Sequence, residues 1–353
     1  MKVTTIFLAA IVSATLLCST IGCSTVGYYA QSARGHLSLL ARREPVAEVI
    51  ADEQTSEQRR RQLQLAAEIR DYASAELKLP DNDSYRDYVE LGRPYVVWNV
   101  VATPELSLEP LRWCFPVVGC LTYRGYFDRA AAEAYAEPLR RQGNDVMVRG
   151  VRAYSTLGWF DDPLLSTMLD QGSVATAEVI FHELAHQIIY ARNDTVFNEA
   201  FASTVGELGV KRWLSSEHPE RLDDYLAALK RRDQFLELLR RTSDALRALY
   251  ASDISDEKKR EGKQRLLATL REDYETLKRS WGGFKGFDGW FDTPVNNARL
   301  ISIAVYRDRV PDFLRWFDAC GRDFPRFYQA VKRMGKMPQD ERHRALTGPA
   351  SCS

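Results

Sequence analysis

The sequence has no excess of charge of either sign: 48 lysines and arginines stand against 48 aspartates and glutamates. That balance excludes the broad basic field that nucleic acid or an anionic membrane surface would call for. Histidine is scarce, at five residues in 353, so two of them at a chemical spacing carry weight. No internal repeat or low-complexity tract is present, which argues against solenoid and disordered classes. The one strongly apolar run, Ile6 to Leu17, is short for a typical membrane-spanning helix and stands at the N-terminus. What remains is an ordinary globular composition in a chain long enough to bury one large core or two.

The informative stretch runs from Phe181 to Ala202. From Val174 to Tyr190 there is no Pro or Gly, and Val174, Ala177, Phe181, Leu184 and Ile188 recur at steps of three and four. This predicts a helix, with Ser173 as its N-cap. Within it, His182-Glu183-Leu184-Ala185-His186 fits the H-E-x-x-H pattern. Side chains four apart on a helix share a face, so both imidazoles can bind one cation while Glu183 beside them handles a proton. A catalytic zinc site needs a third protein ligand and an open position. The extended H-E-x-x-H-x-x-G-x-x-H spacing is excluded, because Ile189 and Arg192 stand where Gly and the third His would be. Asn198-Glu199-Ala200-Phe201-Ala202 begins a second apolar-periodic helix, and Glu199 can supply the missing carboxylate.

His182 to Gln187, then Asn193-Asp194, then Asn198 to Ala202, together resemble the gluzincin metallopeptidases. The pattern is similar to that of the aminopeptidase N-like group, which runs HELAHQ, ND, NEGFA. Across its length the chain resembles a bacterial lipoprotein family of predicted zinc aminopeptidases. Cys114 to Asp128, Ala153 to Thr167 and the Asn296-Asn297-Ala298 region carry that wider likeness. The connection from His186 to Glu199 is shorter than in aminopeptidase N-like enzymes, and their G-x-M-E-N exopeptidase motif is absent. The resemblance implies an α+β fold: a zincin-like core with a small sheet, followed by a predominantly helical C-terminal half. It implies zinc held by His182, His186 and Glu199, with Glu183 as general base in the hydrolysis of peptide substrates. The oxyanion needs a further donor, for which Tyr306 and Tyr154 are candidates. Ser203 or Glu207 could orient a ligand histidine.

The rest of the chain divides as follows. Residues 1–22 read as a signal peptide ending in Gly22-Cys23. A Cys after a small residue at this place resembles a lipobox, so Cys23 is either lipidated or part of an ordinary secretory leader. Ser24, rather than Asp, suggests by the same resemblance an outer-membrane location facing the periplasm. Residues 23–78 read as helices broken near Pro45. Residues 79–217 form the α+β metallopeptidase core, with strands at Tyr95–Ala102, Cys120–Phe127 and Asp145–Val151 and a helix from Asp128 to Arg141. Ala153 to Leu157 extends the last strand towards the edge where an extended substrate could pair. Residues 218–283 form a Leu-striped helical hairpin that turns at Ser252–Asp256, and residues 284–353 are helical again. The loop Gly282–Pro294 either lines a cleft or packs on itself. Cys114 and Cys120 bracket a short loop suited to a disulfide, whereas Cys320 and Cys352 are either paired or buried thiols.

Two further readings remain. An endopeptidase or peptidoglycan-directed amidase could use the same site, and so could a non-catalytic zinc-binding envelope lipoprotein. If the chain is an aminopeptidase without G-x-M-E-N, another carboxylate must hold the substrate ammonium. Asp161 or Asp162 is the candidate, against the reading that Asp161-Asp162-Pro163 simply opens a helix. The leader generates a test of its own. Cys23→Ser is expected to move the protein from the membrane fraction to the soluble periplasm. Retention in the membrane at an unprocessed mass would end the lipidation reading.

Overall fold

Two helices, crossing closely enough to need glycine at their contact, set the architecture. The computed structural model describes residues 26–115, 119–153, 155–156, 160–307 and 309–352, without the side chains of 304–306. In chain order come α1 (26–40), β1 (Glu44–Pro45), α2 (Val46–Ala51), α3 (Glu57–Ala75), β2 (Asp87–Val89) and β3 (Val97–Pro104). Then follow β4 (Trp113–Phe115), β5 (Gly119–Leu121), β6 (Arg124–Tyr126), α4 (Arg129–Arg141), β7 (Asn144–Val151), β8 (Leu164–Leu165) and α5 (Ser166–Leu169). The remainder is helical: α6 (Ser173–His186), α7 (Thr195–Glu217), α8 (Leu222–Ala251), α9 (Asp256–Ser280) and α10 (Asn297–Arg307). The last three are α11 (Val310–Ala319), α12 (Phe324–Gly335) and α13 (Gln339–Thr347). The fold is α+β, mostly helical with small sheets.

The largest sheet has the order β6-β3-β7, antiparallel throughout. Its residues alternate as pleating requires. Trp98, Val100, Ala102, Tyr126 and Val146 face one way and pack with Ala132 and Ala136 of α4. The opposite face looks towards α6 and α10. The segment expected as one strand from Cys120 to Phe127 is instead two. Residues of β5 pair with β4 in a hairpin closed by the Cys114–Cys120 disulfide, and only β6 joins β3. The Cys114–Cys120 disulfide ties β5 to β4 rather than to the sheet.

Helix α7 lies at the centre. Phe197, Phe201, Val205, Val210 and Trp213 are all buried, and they point around the helix rather than along one stripe. A helix apolar on every side must be enclosed. Helix α6 covers one side, while Phe313 and Phe327 of α11 and α12 pack on Phe201 from another. The α6 helix begins at Ser173 itself, with Gly172 at the cap position in the left-handed region (φ 84°). The expected cap hydroxyl accepts from Arg221 Nη1 at 2.7 Å instead.

The helical hairpin forms as α8 and α9. The loop Gly282–Pro294 packs on it: Phe287 stacks on Phe235 at 4.4 Å and Phe291 on Tyr274 at 4.5 Å. Of the two readings of that loop, the structure takes the packed one. Asn296 and Asn297 latch α10 onto the sheet. Asn296 Nδ2 donates to Val146 O, and Asn297 donates from its backbone N to Asp145 Oδ2 at 2.7 Å and from Nδ2 to Glu105 O at 2.9 Å. The C-terminal stretch breaks after α11, where Gly321 and Arg322 both have positive φ, and Cys320 is bonded to Cys352.

The contact of α6 with α7 is tightest at Gly206 and Gly209. A Cβ at Gly206 would lie 2.9 Å from the backbone oxygen of Glu178, and one at Gly209 would lie 2.6 Å from the Phe181 ring. A backbone oxygen cannot rotate away. Gly206→Ala is therefore expected to push the two helices apart and lower stability by about 1–3 kcal/mol, measurable by urea unfolding. Unchanged stability would show that the helices have slack at this crossing.

Candidate functional site

His182 and His186 project from the last turns of α6, and Glu199 from the first turns of α7. The helix contact sets the three heads together. His182 Nε2 and His186 Nε2 are 3.1 Å apart, and Glu199 Oε2 is 3.4 Å from the first and 3.8 Å from the second. Among the described residues this is the cluster of histidine, cysteine and acidic side chains able to hold a metal ion.

Local polar bonds explain why the connection between α6 and α7 keeps this shape. Gln187 ends α6 by donating from Nε2 to Ser84 Oγ, and its Oε1 accepts from Asn82 Nδ2 at 2.7 Å. Asn193 adopts φ 66°, a conformation Asn tolerates, and its Oδ1 accepts from Cys120 N at 2.8 Å. Asp194 caps α7 by accepting from Phe197 N at 3.2 Å. The buried Asp194 carboxylate is also held by Arg342, with His343 Nε2 2.8 Å from the same oxygen. Asn198 clamps Ala191 from both sides: its Oδ1 accepts from Ala191 N at 2.7 Å, and its Nδ2 donates to Ala191 O at 2.8 Å. Asn193, Asp194 and Asn198 thus fix the backbone between the two helices, and Gln187 ties the end of α6 to the side chains of Asn82 and Ser84. The motif spacing contained that signal, but not the partners Ser84, Cys120 and Arg342.

Burial tunes the charges. Burial pushes the His186 imidazole down to about 4, so it stays neutral and keeps its lone pair. For His182 burial also acts downward, but the Glu199 carboxylate beside it prevails and holds it above its ordinary value. Burial would raise Glu199, yet the two histidines keep it lowered. Glu183 lines both lobes of the cleft; burial pushes it up to about 7, the neighbouring His182 acting downward and the Glu199 charge upward. A carboxyl so placed can exchange a proton near neutral pH.

The cleft has two lobes that meet at His182 and Glu183. The larger, of about 610 Å³, contains Glu199 and is aromatic, with Tyr28, Phe115, Phe127 and Phe160 in its wall. The smaller, of about 360 Å³, runs between the sheet face and helices α6 and α10. Ala153, Ser155 and Thr156, which follow β7, line the larger lobe beside the ligands.

Other candidate residues fall elsewhere. Asp162 lines neither lobe; it is buried, and its Oδ2 accepts from Thr156 N at 2.8 Å and Ser155 Oγ at 3.2 Å. Burial pushes its carboxyl up to about 6, and it serves to close its own loop rather than face a substrate amine. Asp161 is exposed, and its backbone oxygen accepts from Arg43. Glu207 does not orient a ligand histidine, because its carboxylate is taken by Lys211 at 2.8 Å, Arg232 at 2.7 Å and Arg307. Ser203 is buried in α7. Tyr154, Cys23 and the Tyr306 side chain lie outside the described residues.

Sequence reasoning missed Tyr85. It is buried at φ 65°, an uncommon conformation for an aromatic residue, and its phenol lies near Glu183 and Asp162, with burial first among the causes that raise its pKa. Nothing in its local sequence marks it.

A family model described as Putative aminopeptidase matches residues 27–346. No curated protein and no solved structure matches the chain.

The geometry makes Glu199 the third donor of the cluster. Glu199→Ala is therefore expected to lower metal occupancy, measured by elemental analysis after dialysis, by at least the roughly 10–100-fold in affinity seen for lesser changes around metal sites. Full retention of metal would assign the third ligand to another group.

Proposed function

The chain belongs to the aminopeptidase family whose model spans it, and on that premise we propose that it is a zinc-dependent peptidase working through a gluzincin-type site in a zincin-like core. One observation carries the reading: two imidazole nitrogens and one carboxylate oxygen converge at 3.1–3.8 Å beside the Glu183 carboxyl of the cleft. Tetrahedral bonds of about 2.0–2.2 Å give ligand-to-ligand edges of roughly 3.3–3.6 Å, so the donor set fits. Two imidazoles and a carboxylate also leave a position open, as catalytic rather than structural sites do. Zinc held there would supply Lewis acidity, polarising a peptide carbonyl and acidifying water.

The protein's own residues do the rest. Glu183 takes a proton from the attacking water and gives it to the leaving nitrogen, a role its raised pKa supports. The walls of the two lobes hold the peptide on either side of the reacting carbonyl and exclude water from it. Tyr306 of α10, on the helix whose Ile301 and Ser302 line the smaller lobe, is proposed as the further oxyanion donor. An envelope location with a lipid anchor at Cys23 is part of the same proposal. The two disulfides support it, since such bonds persist in oxidising compartments. Among the described residues no helix is long and apolar enough to cross a membrane.

Glu183→Gln removes the proton carrier and leaves the three donors. It is expected to keep bound zinc while losing about 10²–10⁴-fold in kcat on unblocked peptides. Wild-type turnover by that variant would reject the assignment, and loss of zinc would place Glu183 among the ligands instead.

A further inference from the structure

On the β3–β7 pair that floors the smaller lobe, the cross-strand partners facing α6 are Val101 with Met147, then Asn99 with Arg149, then Val97 with Val151. One polar pair is thus set between two apolar pairs. Antiparallel partners stand about 4.5–5.5 Å apart, so a guanidinium and an amide rise side by side from an otherwise apolar floor. Asn99, Val101, Met147, Arg149 and Val151 all line the lobe that also contains His182 and Glu183. Arg149 is exposed, and no carboxylate among the described residues pairs with it.

The other charges of the lobe do not neutralise Arg149. Glu178 is bound by Arg232 at 3.0 Å and Arg152 stacks over the Tyr95 ring at 5.4 Å; Arg299, outside the lobe, lies near Arg149 with Asp292 as its own acidic neighbour. Beyond the reacting groups the lobe is therefore cationic. An arginine fork with an adjacent amide N–H recognises a carboxylate.

We infer that Arg149 and Asn99 form a subsite for the C-terminal carboxylate of short peptides, so that the enzyme selects oligopeptides with a free C-terminus. This rests on the peptidase reading given above. Length follows from the strand. Val151 lines both lobes beside His182, and Arg149 lies two residues back, about 6.6–6.8 Å along β7. An extended peptide covers that distance in about two residues, so the carboxylate falls roughly that far from the reacting carbonyl. A tripeptide, with two residues beyond the reacting carbonyl, fits this distance, whereas a folded protein presents no chain end there.

The test compares leucyl-alanyl-alanine as free acid with its C-terminal amide, using zinc-loaded full-length protein. Wild-type kcat/KM is expected to favour the acid by about tenfold or more, the size of a charge-assisted contact. Arg149→Glu should abolish or invert that ratio, Arg149→Lys should retain part of it, and Asn99→Ala should reduce it. Calorimetry on Glu183→Gln reads binding without turnover, and the acid should again bind tighter. Equal handling of acid and amide by the wild type, or an unchanged ratio in Arg149→Glu, would overturn the subsite even if hydrolysis is strong. Tighter binding of the acid with no cleavage of either peptide would keep the subsite and discard the peptidase reading.

Discussion

The close crossing of α6 and α7 is the constraint on which the site depends. Two histidines sit on one helix and the glutamate on the other, and the three heads meet only because Gly206 and Gly209 let the backbones approach. Phe181, Phe201 and Val205, buried around that contact, supply the apolar area that holds it. The polar ties of Gln187, Asn193, Asp194 and Asn198 then remove the freedom of the connecting loop. Packing brings the donors near, and hydrogen bonds to the backbone set where each helix starts and stops.

The same burial explains the electrostatics. Four ionisable side chains of the motif lie in one poorly solvated place, where a lone charge is costly. His186 responds by remaining neutral, Glu199 by staying ionised between two imidazoles, and Glu183 by shifting towards neutral pH. Further along α7, Glu207 takes the opposite course: burial would raise it, but Lys211 and Arg307 outweigh that and keep it below its usual value. One helix therefore carries an acid that meets two imidazoles and a second acid already matched by protein cations. The second binds α7 to α8 and α10, and so serves the architecture.

Several elements could be read from the chain because their causes are local. The 3.6-residue apolar period marks α6 and α7, and the leucine stripes mark α8 and α9. Where a partner distant in sequence decided the matter, the reading failed or stayed open. The stretch from Cys120 to Phe127 has strand composition throughout, yet the disulfide hairpin takes its first part away from the sheet. Asp162 resembles any loop acid, and only the return of its loop onto Thr156 and Ser155 turns it inward. The Gly- and aromatic-rich loop was equally suited to a cleft wall; Phe235 and Tyr274 on the hairpin took its rings instead.

What the sequence determined by itself is the set of donors and their order: H-E-x-x-H on one helix and a glutamate opening the next. That much follows from helical periodicity, since residues four apart share a face whatever surrounds them. Only the tertiary structure decided which groups surround that set. The pairing of Asn99 with Arg149 depends on the register of two strands about fifty residues apart in the chain. The position of Tyr85 beside Glu183 and the hold of Arg342 on Asp194 depend on how separate segments return to one core. The physical reason is range: a helix is specified by neighbours within a few residues, whereas a cleft is specified by whichever surfaces come to face each other once the core has closed.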